Sequence, residues 1–235
     1  MKRVIFFFLS CLIISLWSCE DRCHIIGVAD VTNVEGRLLW LMLCDEDGNW
    51  HKIDSCEVMH GVFEMWAEAD SVAIATLFVD DQPLMPVILQ PGNLHVTIDD
   101  LNLQAHGTKL NDKLYTFIKS KNKLDVELSE LGHKESQMIM NGVPDDYISK
   151  YIDSTYNVIS CSMNQLVTEF ITTNFDNVLS LCGFSMLSNG LPYPVITPLI
   201  QEVLDAAPQS FKDYPLISSF VKAAGDNVSN SDASL

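Results

Sequence analysis

Apolar and polar positions alternate through the first half of this chain, and then the period changes. Across residues 24–105 the apolar residues fall in short runs broken by turn-forming clusters. The cleanest run is 94–98, where Leu94, Val96 and Ile98 share one face and His95 and Thr97 the other. Strands are expected over 24–31, 37–44, 49–57, 62–69, 72–79, 84–89 and 94–98, with a last short one around 103–105. Between them lie Asp45-Glu46-Asp47-Gly48, His60-Gly61 and Gln90-Pro91-Gly92-Asn93, all strong turn signals. Many short strands joined by tight turns predict an antiparallel β-sandwich or open barrel over 24–107.

At Thr108 the period lengthens to that of a helix. Thr108 is a plausible N-cap, and Leu110, Leu114, Phe117, Ile118, Leu124, Leu128 and Leu131 trace one stripe, interrupted by Lys121. This helix is expected to stop at Gly132, with a break at Asn141-Gly142-Val143-Pro144. A second helix follows from Asp145 or Asp146 to about Ile171, and a third covers 175–187, ended by Asn189-Gly190. Thr197-Pro198 starts a fourth: threonine caps, and proline at the first helical position loses no hydrogen bond. Ala206-Ala207-Pro208 ends it. A last short helix runs from Tyr214-Pro215 to Ala224, stopped by Gly225, and 226–235 reads as a loose polar tail. The fold class is therefore α+β, with an antiparallel β domain at 24–107 and an all-helical region at 108–225.

The N-terminus carries a different pattern. Met1-Lys2-Arg3 precedes an apolar run over 4–17 and then Ser18-Cys19, which is the layout of a secretion signal. The run is shorter than the roughly 20 residues of a membrane span. Leu16-Trp17-Ser18-Cys19 has the form of a lipobox, although Trp17 is larger than the small residue usual there. On this reading 1–18 is a lipoprotein signal peptide, Cys19 is lipidated and 19–23 is a tether. The alternatives are simple secretion with a cut nearby and an uncleaved anchor. Acyl chains bury at about 0.8 kcal/mol per CH₂, so several chains on Cys19 hold permanently. The membrane, reached through that lipid, is the first expected partner.

Charge narrows the partners further. The chain has 14 basic and 31 acidic residues, and without Lys2 and Arg3 its formal charge moves from −17 to −19. Such a surface repels nucleic acid and anionic lipid heads, so no nucleic-acid partner is expected. Of the 7 cysteines, Cys11 leaves with the signal and Cys19 takes lipid. Cys23, Cys44, Cys56, Cys161 and Cys182 remain, mostly as buried small hydrophobes with room for one bridge. A two-residue turn at Asp47-Gly48 sets Cys44 opposite His51 and Cys56 opposite Leu39, which keeps Cys44 and Cys56 apart. No Cys-x-x-Cys is present.

Few residues of the chain fall in patterns that carry chemistry. His51 opposite Cys44 would supply only two of the four ligands a metal needs, and no second His/Cys pair has matching spacing. Asp45-Glu46-Asp47-Gly48-Asn49 resembles part of a calcium loop without its full ligand pattern. Asp80-Asp81 and Asp99-Asp100 read as solvated turns. There is no Gly-x-Ser-x-Gly and no phosphate loop, so no catalytic residue, metal or cofactor is assigned. Trp40, Trp50 and Trp66 are the suggestive set. Covered by helices they are core; exposed on a sheet face they are candidate binding residues, since aromatics grip partners and sugars.

Four segments carry a resemblance. These are His24-Ile25-Ile26-Gly27, the run Asp54 to Met65, the run Val87 to Ile98, and Leu103 to Asp112 with its Gly107-Thr108-x-x-Asn111-Asp112 exit into the helix. Over about 24–125 the chain resembles a domain-of-unknown-function family found in lipoproteins of the Bacteroidota. The helical remainder is similar to the spacer that leads, in many relatives, to a thioredoxin-like disulfide reductase domain. Lipid on Cys19 implies a place in the cell envelope, at the outer membrane, facing the periplasm or the surface, and Glu20-Asp21 just after it resembles Bacteroidota surface-export signals. The chain ends at Leu235, where the reductase would begin, and the family's Trp-Cys-x-x-Cys has no counterpart. The expected function is thus a non-catalytic envelope lipoprotein that binds a protein, an envelope protein among the candidates, or a small ligand. The alternative is an accessory or truncated component of a thiol-disulfide system.

Overall fold

Eight strands come first and six helices follow among the described residues of the computed structural model, which are 22–30, 34–45, 49–99 and 102–232, with side chains described to residue 227. The segment 1–18 read as a signal peptide, Cys19, and Glu46, Asp47 and Gly48, where a turn is expected, lie outside them. The strands are β1 (Arg22–Asp30), β2 (Leu38–Cys44), β3 (Trp50–Glu57), β4 (Val62–Glu68), β5 (Ala73–Val79), β6 (Gln82–Leu89), β7 (Gly92–Asp99) and β8 (Leu103–His106). The helices are α1 (Lys109–Met140), α2 (Asp145–Thr172), α3 (Leu179–Asn189), α4 (Pro198–Ala206), α5 (Gln209–Lys212) and α6 (Pro215–Asp232). The fold class is α+β, as the periodicity predicts. Two compact units divide the chain: the residues through Met42 with Lys52–Leu103, and Leu43–His51 with those from Gln104 onwards.

Two four-stranded sheets build a sandwich-like arrangement, in the orders β4-β1-β7-β8 and β3-β2-β5-β6. β1 pairs antiparallel with β4 but parallel with β7, so the first sheet is mixed rather than purely antiparallel. Alternation reports which face a residue occupies and is silent on strand direction. Parallel pairing needs a long crossover, and the chain between β1 and β7 carries five strands. In the first sheet one set of alternate positions is buried, including Ile25, Ala29, Phe63, Met65, Leu94, Val96 and Ile98. Leu39, Leu41, Ala75, Leu77 and Val87 do the same in the second. Each such Leu, Ile or Phe stabilises by about 1.5–3 kcal/mol relative to exposure.

Two glycines matter to this packing. Gly27 sits opposite Phe63, and a Cβ there would lie 1.9 Å from the ring, so the aromatic ring covers bare backbone. Gly61 completes a two-residue loop with His60, at φ of 71° and 56°, inside the Met59–Val62 bridge. Positive φ at both positions gives a turn whose twist matches the flanking strands.

In the second unit, the strand-to-helix exit explains its own sequence. Gly107 takes φ 104°. Its N–H donates to Asp112 Oδ1 at 2.9 Å, while buried Asn111 donates Nδ2–H to Thr108 Oγ1 at 2.8 Å. α1 does not stop at Gly132. A glycine costs a helix about 1 kcal/mol but ends it only by turning left-handed. That role falls to Gly142 at φ 68°, where Val143 N–H reaches Met138 O and Gly142 N–H reaches Ile139 O. For the same reason α6 runs through Gly225 to Asp232, and the stretch expected as a loose tail is helical at 226–232. α3 begins at Leu179, later than expected, because Asn174 and Asn177 bond the local backbone: Asn174 Nδ2 to Phe170 O at 2.7 Å, and Leu179 N to Asn177 Oδ1 at 3.0 Å. Thr197 caps α4 by accepting from Ile200 N–H at 3.2 Å. Arg22 and Cys23, expected in a tether, already belong to β1, because buried Cys23 continues its inward alternation. No helix among the described residues is long and apolar enough to cross a membrane.

Candidate functional site

The outer face of the first sheet exposes several large apolar side chains. Its alternate positions point away from the core, and strand register sets them in rows. His24 lies between Trp66 and Asn93, Ile26 between Glu64 and His95, and Val28 between Val62 and Thr97. Trp66 is 44% exposed, Ile26 38%, and Val28 and Val62 53% each. Apolar side chains clustered in the open on a folded domain mark an interaction surface more often than scattered single ones do.

Trp66 is held in place. Its ring stacks on His24 with centroids 3.7 Å apart and planes 6° from parallel. His24 Nε2 and Glu64 Oε1 are 2.5 Å apart, which fixes the imidazole. The Trp66 backbone N–H points out of the sheet edge and donates to Asp54 Oδ2 on β3 at 2.8 Å. The next outward N–H on β4, of Glu64, is taken by Cys56. This edge strand is therefore closed to a further strand, and its recognition surface is the face. A tryptophan held rigidly at both ring and backbone loses little entropy on binding.

The three tryptophans lie on strands of two sheets. Trp66 stands on the first sheet, and Trp40 and Trp50 on strands of the second. Trp40 points away from buried Leu39 and Leu41 and is half-buried, with Lys52 Nζ 4.1 Å from its ring centroid. That cation covers one face of the Trp40 ring. Trp50 is 47% exposed at the start of β3, in the second unit. None of the three is simply core.

The polar candidates resolve into local structure. Asp45 accepts from Asn49 N–H at 2.8 Å and pairs with His51 Nε2 at 2.6 Å. These bonds, that to His51 foremost, pull its carboxyl down to about 2. His51 thus faces a carboxylate in its own hairpin. Asp80 sits at φ 51° in the β5–β6 turn and accepts from Arg37 Nε at 2.9 Å. The five described cysteines are unbridged; Cys23 and Cys182 are buried, Cys56 is partly buried, and Cys44 and Cys161 are exposed rather than core. Burial raises the Cys23 and Cys56 thiols, and Cys182 is pushed up to about 12. Sequence reasoning missed His24 and Ile26. Their meeting with Trp66 and Glu64 depends on β1–β4 pairing across about forty residues, which no local pattern reports.

Comparison with known proteins adds one finding. Residues 32–114 match the family described as a domain of unknown function, DUF4369. The DUF4369 match runs from before β2 into the first turns of α1 and includes the Gly107-Thr108-x-x-Asn111-Asp112 exit. β1 precedes it, so His24 and Ile26 lie outside the matched segment while Trp66 and Glu64 lie inside. No curated protein matches the chain.

Proposed function

We propose that this chain is a non-catalytic cell-envelope lipoprotein, held at the outer membrane by lipid on Cys19, whose β unit binds a protein or small ligand through the outer face around Trp66. The observation that carries the binding half is the exposed apolar face in register, with Trp66 fixed between His24 and Asp54. The lipobox form of Leu16-Trp17-Ser18-Cys19 carries the anchoring half. The Bacteroidota origin and the association with thioredoxin-like domains follow from the resemblance alone. Three of the five described thiols run against the alternative redox reading, since burial raises Cys23, Cys56 and Cys182 and so disfavours the reactive thiolate, while Cys44 and Cys161 are exposed.

Two measurements test the two halves. Cells fed an alkyne fatty acid should label the protein, and Cys19→Ala should lose both label and membrane association; labelling that survives Cys19→Ala contradicts the anchor. A photo-crosslinking amino acid in place of Ile26, used in intact cells, should give a discrete adduct that Trp66→Ala removes. Absence of any adduct contradicts the binding face.

A further inference from the structure

The apolar rows of the outer face are bordered by carboxylates. Glu64 and Glu68 lie on β4, Asp30 at the end of β1 and Asp99 at the end of β7, with Asp30 and Asp99 in register. Arg22, paired in register with Glu68, is the one arginine or lysine among the outward positions of these three strands. The whole chain adds a formal charge of −17. A second copy of this chain or an anionic lipid surface would meet that field with like charge, which opposes association. A partner that buries apolar side chains on Trp66, Ile26 and Val28 while bringing positive charge to the rim meets it favourably.

We infer that the outer face of the first sheet docks a cationic amphipathic segment of a protein partner, one with aliphatic or aromatic side chains on one side and lysines or arginines flanking them. The inference rests on the reading of this face as a binding surface and specifies its partner. Apolar contact supplies the affinity, and the carboxylate rim supplies the association rate and the choice of partner. The His24–Glu64 pair keeps one of these carboxylates beside the Trp66 ring, where a cation can meet both.

The test uses the full chain in detergent micelles, with two pools of short synthetic peptides as probes. Both pools share leucine and phenylalanine positions; one has lysine and arginine between them, the other glutamate and aspartate. On isotopically labelled protein, the basic pool should shift the Trp66 indole and the Ile26 and Val28 amides. It should bind at least about tenfold more tightly than the acidic pool, and rising salt should erode the difference. Glu64→Lys combined with Glu68→Lys, checked for unchanged circular dichroism, should reverse the preference. Equal binding of the two pools overturns the inference, as does salt-insensitive binding of a neutral oligosaccharide at the same resonances. If neither pool shifts these resonances while the crosslink from position 26 still depends on Trp66, the cationic partner is wrong and the binding face stands. If the crosslink fails as well, both readings fall.

Discussion

Glu35 gives both carboxylate oxygens to one turn: Oε1 accepts from His60 N–H at 2.7 Å and Oε2 from Gly61 N–H at 2.9 Å. These bonds, that to His60 first, lower its pKa below the ordinary 4.5. A carboxyl lowered on folding stabilises the fold above its unfolded pKa, and that contribution is lost as pH falls through the lowered value. Glu35→Gln should therefore melt below the parent at neutral pH, with the gap closing on acidification through that range; a pH-independent gap contradicts the clamp. Asn111 acts similarly at the start of α1. Asn111→Ala strips the partner from the buried Thr108 hydroxyl and should cost about 1–3 kcal/mol in urea unfolding. The Gly-Thr-x-x-Asn-Asp motif was legible as a pattern, but its meaning was not. Only the structure shows that Gly107 supplies a positive φ and that Asn111 and Asp112 supply local bonds, which makes the motif a structural joint.

Among the elements, the eight strands and the helix starts at Thr197-Pro198 and Asp145 were readable because alternation, caps and turn residues are local signals. Two helix ends were misplaced at glycines. Gly132 and Gly225 resemble helix stops in sequence, yet a stop depends on φ, which neighbouring packing decides. Three substitutions separate these cases by sign. At Gly132 an added Cβ meets nothing within 4 Å, so Gly132→Ala should raise stability by up to about 1 kcal/mol. Gly142 holds φ 68°, so Gly142→Ala should lower it by about 1 kcal/mol. At Gly183 a Cβ would lie 2.7 Å from Ile171 Cγ1, where α3 closes on α2, and Gly183→Ala should cost about 1–3 kcal/mol. Denaturant midpoints at constant slope check all three; stabilisation by Gly183→Ala would contradict the close helix approach.

At the scale of the whole molecule, two sets of side chains decide between a binding protein and a redox accessory. In the native protein Cys44 and Cys161 should react promptly with a thiol reagent, and Cys23 and Cys182 only after unfolding. Rapid native labelling of Cys182, whose thiol is pushed up to about 12, would contradict its burial. The candidate site was half legible. Trp66 stood out as an aromatic on a strand, and the strand order, which no local pattern reports, puts it on the first sheet and Trp40 and Trp50 on strands of the second. Its true neighbours, His24 and Ile26, come from β1 through long-range register. The central claim is that this face binds through Trp66. Photo-crosslinking from position 26 in intact cells, with and without Trp66→Ala in protein of unchanged circular dichroism, tests it most directly. A face that binds through Trp66 gives a discrete adduct that Trp66→Ala abolishes; no adduct, or one indifferent to Trp66, rules that face out.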